Sequence, residues 1–305
     1  MDAPVAMKVA VVGLGKMGLA IAERVLAGTR GFPLTVYNRT PGREAELVEG
    51  GATVLGTAAG ALHVADVCIT MLSDDEALEG VVLGPDGVLA GARPETTLID
   101  MSTVSVAVSE RVAAAADTAG VSFLRAPVSG NPVVVRSGNL TIIVSGPQET
   151  ASAFDGLLRS IGPKVFYVGE GERARVVKLV LQVLIGGTAE LLAEGLVLGE
   201  AAGLDRAKLL EVIKDSAVGS PFVGYKTAPL LRGEYSATFT TTMMLKDLDL
   251  VLDLAKSADL ELPFAEGLRP LLEETAEAGY ADSDFMALLL RLERRTAERA
   301  AEGAR

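Results

Sequence analysis

Along the first half of the chain, short apolar runs rich in β-branched residues alternate with longer segments of helical spacing. The runs are KVAVVG, LTVYN, DVCITML, TTLIDMS, SFLRAP and NLTIIVSG, and alanine-rich stretches such as MGLAIAERVLAG and VAVSERVAAAADTAG lie between them. Several runs are nearly unbroken Val, Ile and Leu, the pattern of strands covered by helices on both faces. Alternation at this spacing predicts an α/β domain on a doubly wound parallel sheet. After KVFYVGEG, long helical patterns replace the strand-like runs. The first of them, from about Glu172 to Ala202, would span ~45 Å at about 1.5 Å per residue. It is apolar nearly all round and is therefore expected to be buried, with a second subunit as one candidate cover. Gly203 stands where a C-cap glycine would end it.

The first predicted strand runs into Gly13-Leu14-Gly15-Lys16-Met17-Gly18, and a helical pattern follows at once. A G-x-G-x-x-G string is weak evidence in a chain with 33 glycines. Between the first strand and the first helix it has a physical reading. Gly13 permits the tight turn, Gly15 lets the backbone approach a pyrophosphate, and Gly18 lets the helix pack on the sheet. The next strand ends in Asn38, Arg39 and Thr40, with Arg43 close by, where an NAD-preferring site would carry an acid. A guanidinium and neutral hydrogen-bonding groups suit a 2′-phosphate, so NADP(H) is the expected cofactor and NAD(H) the alternative. The expected division is a Rossmann-type domain over residues 1–168 and an all-helical domain over 169–305. The active site is expected in the cleft between them, outside the carboxyl ends of the strands.

Composition narrows the function classes. A formal net charge of −12 argues against nucleic acid or an anionic membrane as partner, while leaving room for a small anionic substrate held by local cations. Apolar runs are interrupted by charge or glycine before membrane-spanning length, so no span is expected. The N-terminal MDAPVAMKVAVVGLG reads as a lead into a strand and not as a signal peptide, consistent with a cytoplasmic protein. Cys68, the single cysteine, lies in an apolar run and reads as a small hydrophobe, and the single histidine, His63, has no partner motif. So few ligands give no metal constellation.

Taken in order, GLGKMG, DMSTVS, APVSGNPVVVRSGNLTIIVSG and KLVLQVLIGGTAELLAEGLVLGEAAGLD, followed by LKDLDLVLDLA, resemble the β-hydroxyacid dehydrogenase family over almost the whole chain. That family includes 3-hydroxyisobutyrate dehydrogenases and glyoxylate or succinic semialdehyde reductases. The resemblance implies Lys178 as the catalytic lysine and Ser129 with Gly130 as the group that engages the substrate carboxylate. It puts Thr103 on the nicotinamide side of the cofactor and Met71, Leu72 and Ser73 along its adenosine and ribose. Lys246 matches a lysine that closes over the cofactor, and Asp247 its structural partner.

A lysine in apolar surroundings makes chemical sense here. Oxidising an alcohol requires loss of the hydroxyl proton, and a free lysine, with a pKa of about 10.4, is too basic to serve near neutrality. Burial and a nearby nicotinamide cation would both lower it. Two positions depart from the family pattern. Gln182 stands one turn after Lys178 where asparagine is usual, which lengthens the expected catalytic amide by a methylene. Asn131 follows the Ser-Gly pair where glycine is common and adds a side chain beside the carboxylate site. An imine reductase shares both domains and the NRT string, but usually replaces the lysine. A non-catalytic NADP(H)-binding protein is a third reading. The apolar long helix also implies a homodimer or homotetramer.

Overall fold

The apolar runs become β1 (Val9–Val12), β2 (Leu34–Tyr37), β4 (Val67–Thr70), β5 (Thr97–Asp100) and β6 (Ser122–Arg125) in a computed structural model that describes residues 7–28 and 32–303. With the two-residue β3 (Thr53–Val54) they form a six-stranded sheet in the order β3-β2-β1-β4-β5-β6, parallel throughout. The strands are followed in turn by α1 (Lys16–Ala27), α2 (Ala45–Glu49), α3 (Gly60–Val64), α4 (Asp75–Leu83) and α5 (Val106–Thr118). Because side chains alternate across a strand, Val9 and Val11 enter one core with Ile21 and Val25 of α1. Ala10 and Val12 enter the opposite core with Leu62, Leu78 and Val112 of α3, α4 and α5. Burial on both faces is why these strands read as continuous apolar runs. Each fully buried Val, Leu or Ile contributes about 1.5–3 kcal/mol.

The run NLTIIVSG is a strand, but it does not extend this sheet. After β6 come β7 (Val128–Ser129), α6 (Pro132–Arg136), β8 (Thr141–Val144), α7 (Gln148–Ala153), α8 (Asp155–Ile161) and β9 (Lys164–Tyr167). β7, β8 and β9 make a second, three-stranded sheet in which β7 and β8 are antiparallel. Past β6 the chain stays extended, with Pro127 O accepting from Ile143 N (3.0 Å), and the reversal comes in the connection through α6, so β8 runs antiparallel to β7 and to the end of β6. An isolated antiparallel bridge, Arg125 with Ser145, links the two sheets.

The chain divides into two compact units, the first ending at Lys178 and the second beginning at Leu179. That division falls inside α9 (Arg173–Ala201), ten residues beyond the boundary expected at the end of β9. The second unit continues with α10 (Arg206–Asp215), α11 (Pro221–Arg232), α12 (Thr241–Ser257), α13 (Pro263–Thr275) and α14 (Leu288–Gly303). Its core gathers Leu192, Leu196, Val223, Leu248, Leu268 and Leu289 among others. Asp205, Ser220 and Thr240 cap α10, α11 and α12 by accepting from backbone N–H groups of the first turns. At the C-terminus of α9, Gly203 takes φ +85° while its N–H donates to Glu200 O and that of Leu204 to Gly199 O. This is a Schellman cap, as Gly203 foretold.

Within the single chain α9 is not buried all round: Val180, Leu184, Leu191 and Leu198 are exposed, and at 100° per residue they form one stripe. By length and composition α9 is also apolar enough to cross a membrane, although the separate apolar runs are short; half of its most apolar window is buried within the fold. The reading of the first N-terminal residues, and the ends of the two expected domains at 1 and 305, lie outside the described residues.

Candidate functional site

The glycine turn fits a pyrophosphate on geometric grounds. Gly13 has φ +94°, and a Cβ there would lie 2.4 Å from Met71 O; a Cβ on Gly18 would lie 1.9 Å from Gly13 O. A side chain at either position would displace backbone. At Gly15 a Cβ would meet nothing within 4 Å, so the backbone faces open space. Gly15 is also the N-cap of α1, and no side chain caps that end. Backbone donors at a helix N-terminus, bordered by open space, are what an anionic phosphate requires. Lys16 is exposed at the first position of α1, Met17 is half-buried, and the Leu14 side chain is core. Replacing Gly18 by alanine is expected to cost about 1–3 kcal/mol through overpacking and to weaken dinucleotide binding. A thermal melt and a fluorescence titration, both unchanged, would contradict the close approach.

At the end of β2, Asn38 is a tether. Its Oδ1 accepts from Leu14 N (2.9 Å) and its Nδ2 donates to Thr40 O (2.6 Å), which holds the glycine turn against the β2 loop. Arg39 and Thr40 are exposed, and Arg43 Nη1 reaches Leu14 O at 3.4 Å. The nearest acid, Glu44, accepts from Gly42 N (3.0 and 2.9 Å). That backbone hydrogen bond holds its carboxyl below the usual carboxylate range. The loop therefore presents a cation at its tip, while its acid faces its own backbone.

The loops after β4 and β5 are fixed by a buried polar network. Thr70 Oγ1 and Ser102 Oγ each donate to Asp100 Oδ1 at 2.6 Å, and Ser102 Oγ accepts from Leu72 N at 2.9 Å. Met71 N donates to Val12 O (3.0 Å), so the Met71–Leu72–Ser73 segment is pinned to β1 and to the β5 loop. Ser73 is exposed and donates to Asp74 Oδ2 (2.7 Å), while Asp74 caps α4. Thr103 follows Ser102 and is half-buried. The fold thus gathers the glycine turn, Asn38 to Thr40, Met71 to Ser73 and Thr103 at the carboxyl edge of the main sheet. Lys178, half-buried, is the last residue of the same unit.

Ser129, half-buried, ends β7, and Gly130 is exposed beside it. Asn131 is the N-cap of α6: its Oδ1 accepts from Val134 N at 3.0 Å. The amide expected beside the carboxylate site thus uses its oxygen to cap the helix, and Nδ2 is the donor it can offer a carboxylate. In the second unit, Gln182 is 3% exposed and donates Nε2 to Asp247 Oδ2. Lys246 Nζ pairs with Asp247 Oδ1 at 2.7 Å. The lengthened side chain at 182 reaches Asp247, so its amide nitrogen serves that carboxylate. Cys68 is fully buried in β4, and burial pushes its thiol well up; His63 is exposed. Among the described residues no cluster of three or more His, Cys, Asp or Glu could hold a metal.

Sequence reading missed Arg175, whose guanidinium is buried and pairs with Asp100 through Nη2 and Oδ2. The signal was present as RARVVK, a charge on an apolar helix three residues before Lys178.

Residues 8–169 match the NAD binding domain of 6-phosphogluconate dehydrogenase, and residues 172–292 the NAD-binding model of NADP-dependent 3-hydroxyisobutyrate dehydrogenase. An uncharacterized oxidoreductase, YfjR, of Bacillus subtilis is 39% identical over 93% of this chain and 99% of its own length. The cytokine-like nuclear factor N-PAC of Gallus gallus is 30% identical over 93% of this chain; the chain spans about half of that protein, 51%. Among solved structures, 3-hydroxyisobutyrate dehydrogenase of Mycobacterium tuberculosis with L-serine superposes with a TM-score of 0.83 at 27% identity, covering 94% of this chain and 99% of the other.

Proposed function

Because this chain belongs to the β-hydroxyacid dehydrogenase family and is an NAD(P)-dependent oxidoreductase of the 3-hydroxyisobutyrate dehydrogenase type, we propose that it interconverts a small β-hydroxyacid and its semialdehyde or keto form. In this reading NADP(H) is the preferred cofactor and Lys178 the general acid/base. The observation that carries it is the anchoring of the turn before Lys178, through Arg175, to the end of β5. That is the sheet edge where the glycine turn and the loops after β4 and β5 converge. The L-serine in the mycobacterial relative, itself a β-hydroxyacid, agrees with the substrate class.

The nicotinamide, when bound, supplies the hydride chemistry. The uncapped α1 terminus and the Gly15 backbone would hold its pyrophosphate. The Ser129 hydroxyl and the Gly130 N–H are donors suited to a substrate carboxylate. In the oxidative direction, neutral Lys178 Nζ takes the hydroxyl proton; in the reductive direction, protonated Nζ returns it to the forming alkoxide. A kinetic panel of C2–C5 hydroxyacids and aldehydes with both cofactors, with a cyclic imine beside them, tests this. Turnover of the imine alone would move the chain to imine reduction, and cofactor binding without any turnover would remove the enzymatic reading.

Arg39→Ala bears on cofactor choice. A charged hydrogen bond is worth about 1.5–3 kcal/mol, so NADPH affinity is expected to fall roughly tenfold or more while NADH affinity stays within twofold. Equal losses for both cofactors in a fluorescence titration would assign Arg39 another role. The exposed stripe of Val180, Leu184, Leu191 and Leu198 supports a homodimer or homotetramer. Light scattering after size exclusion is expected to give a multiple of 31.6 kDa.

A further inference from the structure

Arg175 is 1% exposed, and its guanidinium donates in three directions. Nη2 pairs with Asp100 Oδ2 at the end of β5, Nη1 donates to Ser102 O at 2.6 Å, and Nε donates to Ser109 Oγ of α5 at 3.2 Å. The far side of the Asp100 carboxylate is filled by Thr70 Oγ1 and Ser102 Oγ, and Ser102 Oγ in turn accepts from Leu72 N. One buried ion thus touches, directly or through one or two more groups, the loop bearing Thr103, the Met71–Ser73 loop and α5, and ties them to the first turn of α9. A planar fork with fixed donor angles suits such a junction, and a point-charge ammonium does not. A buried pair is a poor source of net stability, but a fully satisfied one specifies a single arrangement.

We propose that Arg175 is a positioning residue: it sets the turn of α9 that carries Lys178 relative to the loops after β4 and β5, so that base and cofactor contacts share one register. This rests on the reading of Lys178 as the acid/base group. It also makes cofactor affinity and proton transfer depend on the same guanidinium, although Arg175 itself touches neither substrate nor cofactor. A second clamp fixes the start of α9 independently. Arg125 Nε donates to Glu172 Oε1 (2.7 Å), and Ser145 Oγ accepts from Ala174 N (3.1 Å) while donating to Gly171 O (2.6 Å). Loss of the fork should therefore leave the helix anchored but free to shift.

Arg175→Lys is the test, because it keeps a cation opposite Asp100 yet cannot serve Ser102 O and Ser109 Oγ together. On purified, folded protein, kcat is expected to fall about ten- to hundredfold, the range an ångström of misplacement produces. KM for the hydroxyacid should change less than threefold, and the Kd for NADPH should rise severalfold by fluorescence titration. A merely structural role would lower the folded fraction and leave kcat per folded molecule and Kd unchanged; that result overturns the proposal. If the lysine variant does not fold, the neutral double variant Arg175→Met with Asp100→Asn replaces it, with the same outcomes expected and the same result decisive against. Lys178→Met, assayed alongside, separates the two readings. If it is inactive while Arg175→Lys is fully active, the positioning role fails alone; if it is fully active, the role of Lys178 has failed first.

Discussion

Replacing Lys178 by methionine is expected to lower kcat by about two to four orders of magnitude, the usual contribution of a general acid/base. At about 1.36 kcal/mol per factor of ten, that corresponds to roughly 3–5 kcal/mol of transition-state stabilisation. Methionine keeps an unbranched apolar stem of similar length and a good helix propensity. The half-buried position in α9 therefore remains filled and the helix intact. In the proposed reading the glycine turn and the loops after β2, β4 and β5 would hold the cofactor, so NADPH affinity should stay within about threefold. Steady-state kinetics combined with fluorescence titration reads both quantities. Full activity in the variant would leave proton transfer to another group or to water. A parallel loss of cofactor binding would recast Lys178 as part of the cradle. A parent protein that binds NADPH and turns over nothing in the panel would leave the experiment nothing to lower, and that outcome belongs to the non-catalytic reading.

The main sheet was legible in the sequence because both of its faces are buried. VAVV, VCIT and TLID are four-residue segments with every side chain inside, so hydrophobicity alone marks them. β3 was not legible, since Thr53 and Val54 are both exposed at a sheet edge and leave no apolar signature. Of the second sheet only β8 was legible as a strand: β7 is two residues long, and the antiparallel pairing follows from the reversal through α6 and not from composition. The glycine turn could be read position by position, as steric demands at Gly13 and Gly18 leave no other residue. The polar network could not. Arg175 and Asp100 are 75 positions apart, and each alone reads as an ordinary charge near the end of an element. The departures Gln182 and Asn131 were visible in the chain, but their use was not. Whether an amide faces a ligand, a carboxylate or a helix end depends on neighbours that only folding supplies.

Lys226→Met is expected to destabilise the second unit by about 3–5 kcal/mol, the cost of breaking a buried ion pair from one side. Against a typical total of about 5–15 kcal/mol, that is a substantial fraction of the whole. Lys226 Nζ lies 2.6 and 2.7 Å from the two oxygens of Asp284, and both residues are almost fully buried. Phe285, Tyr225 and Phe222 surround the ammonium, with ring centroids at 4.9, 5.6 and 5.9 Å. Burial holds the Lys226 ammonium below the ordinary lysine value even though Asp284 pulls it back up, so the pair itself adds little stability. The loss comes instead from Asp284, left charged in an apolar pocket with Thr238 Oγ1 (3.2 Å) and the N–H groups of Met286 (3.2 Å) and Thr238 (3.4 Å) as neutral donors. Two consequences separate this account from simple loss of packing. The double variant Lys226→Met with Asp284→Asn, which keeps an acceptor for those donors, should recover about half of the loss or more. In the single variant, the stranded carboxyl should have a folded-state pKa raised above its unfolded value of about 3.9. A group shifted upward favours folding below its unfolded pKa, and that help is lost as pH rises through the folded one. Urea melts should therefore show the deficit of the single variant relative to the parent shrinking between pH 7 and pH 4.5. A deficit constant across that range, unrelieved in the double variant, would show that the aromatic packing around the lysine stem carries the effect.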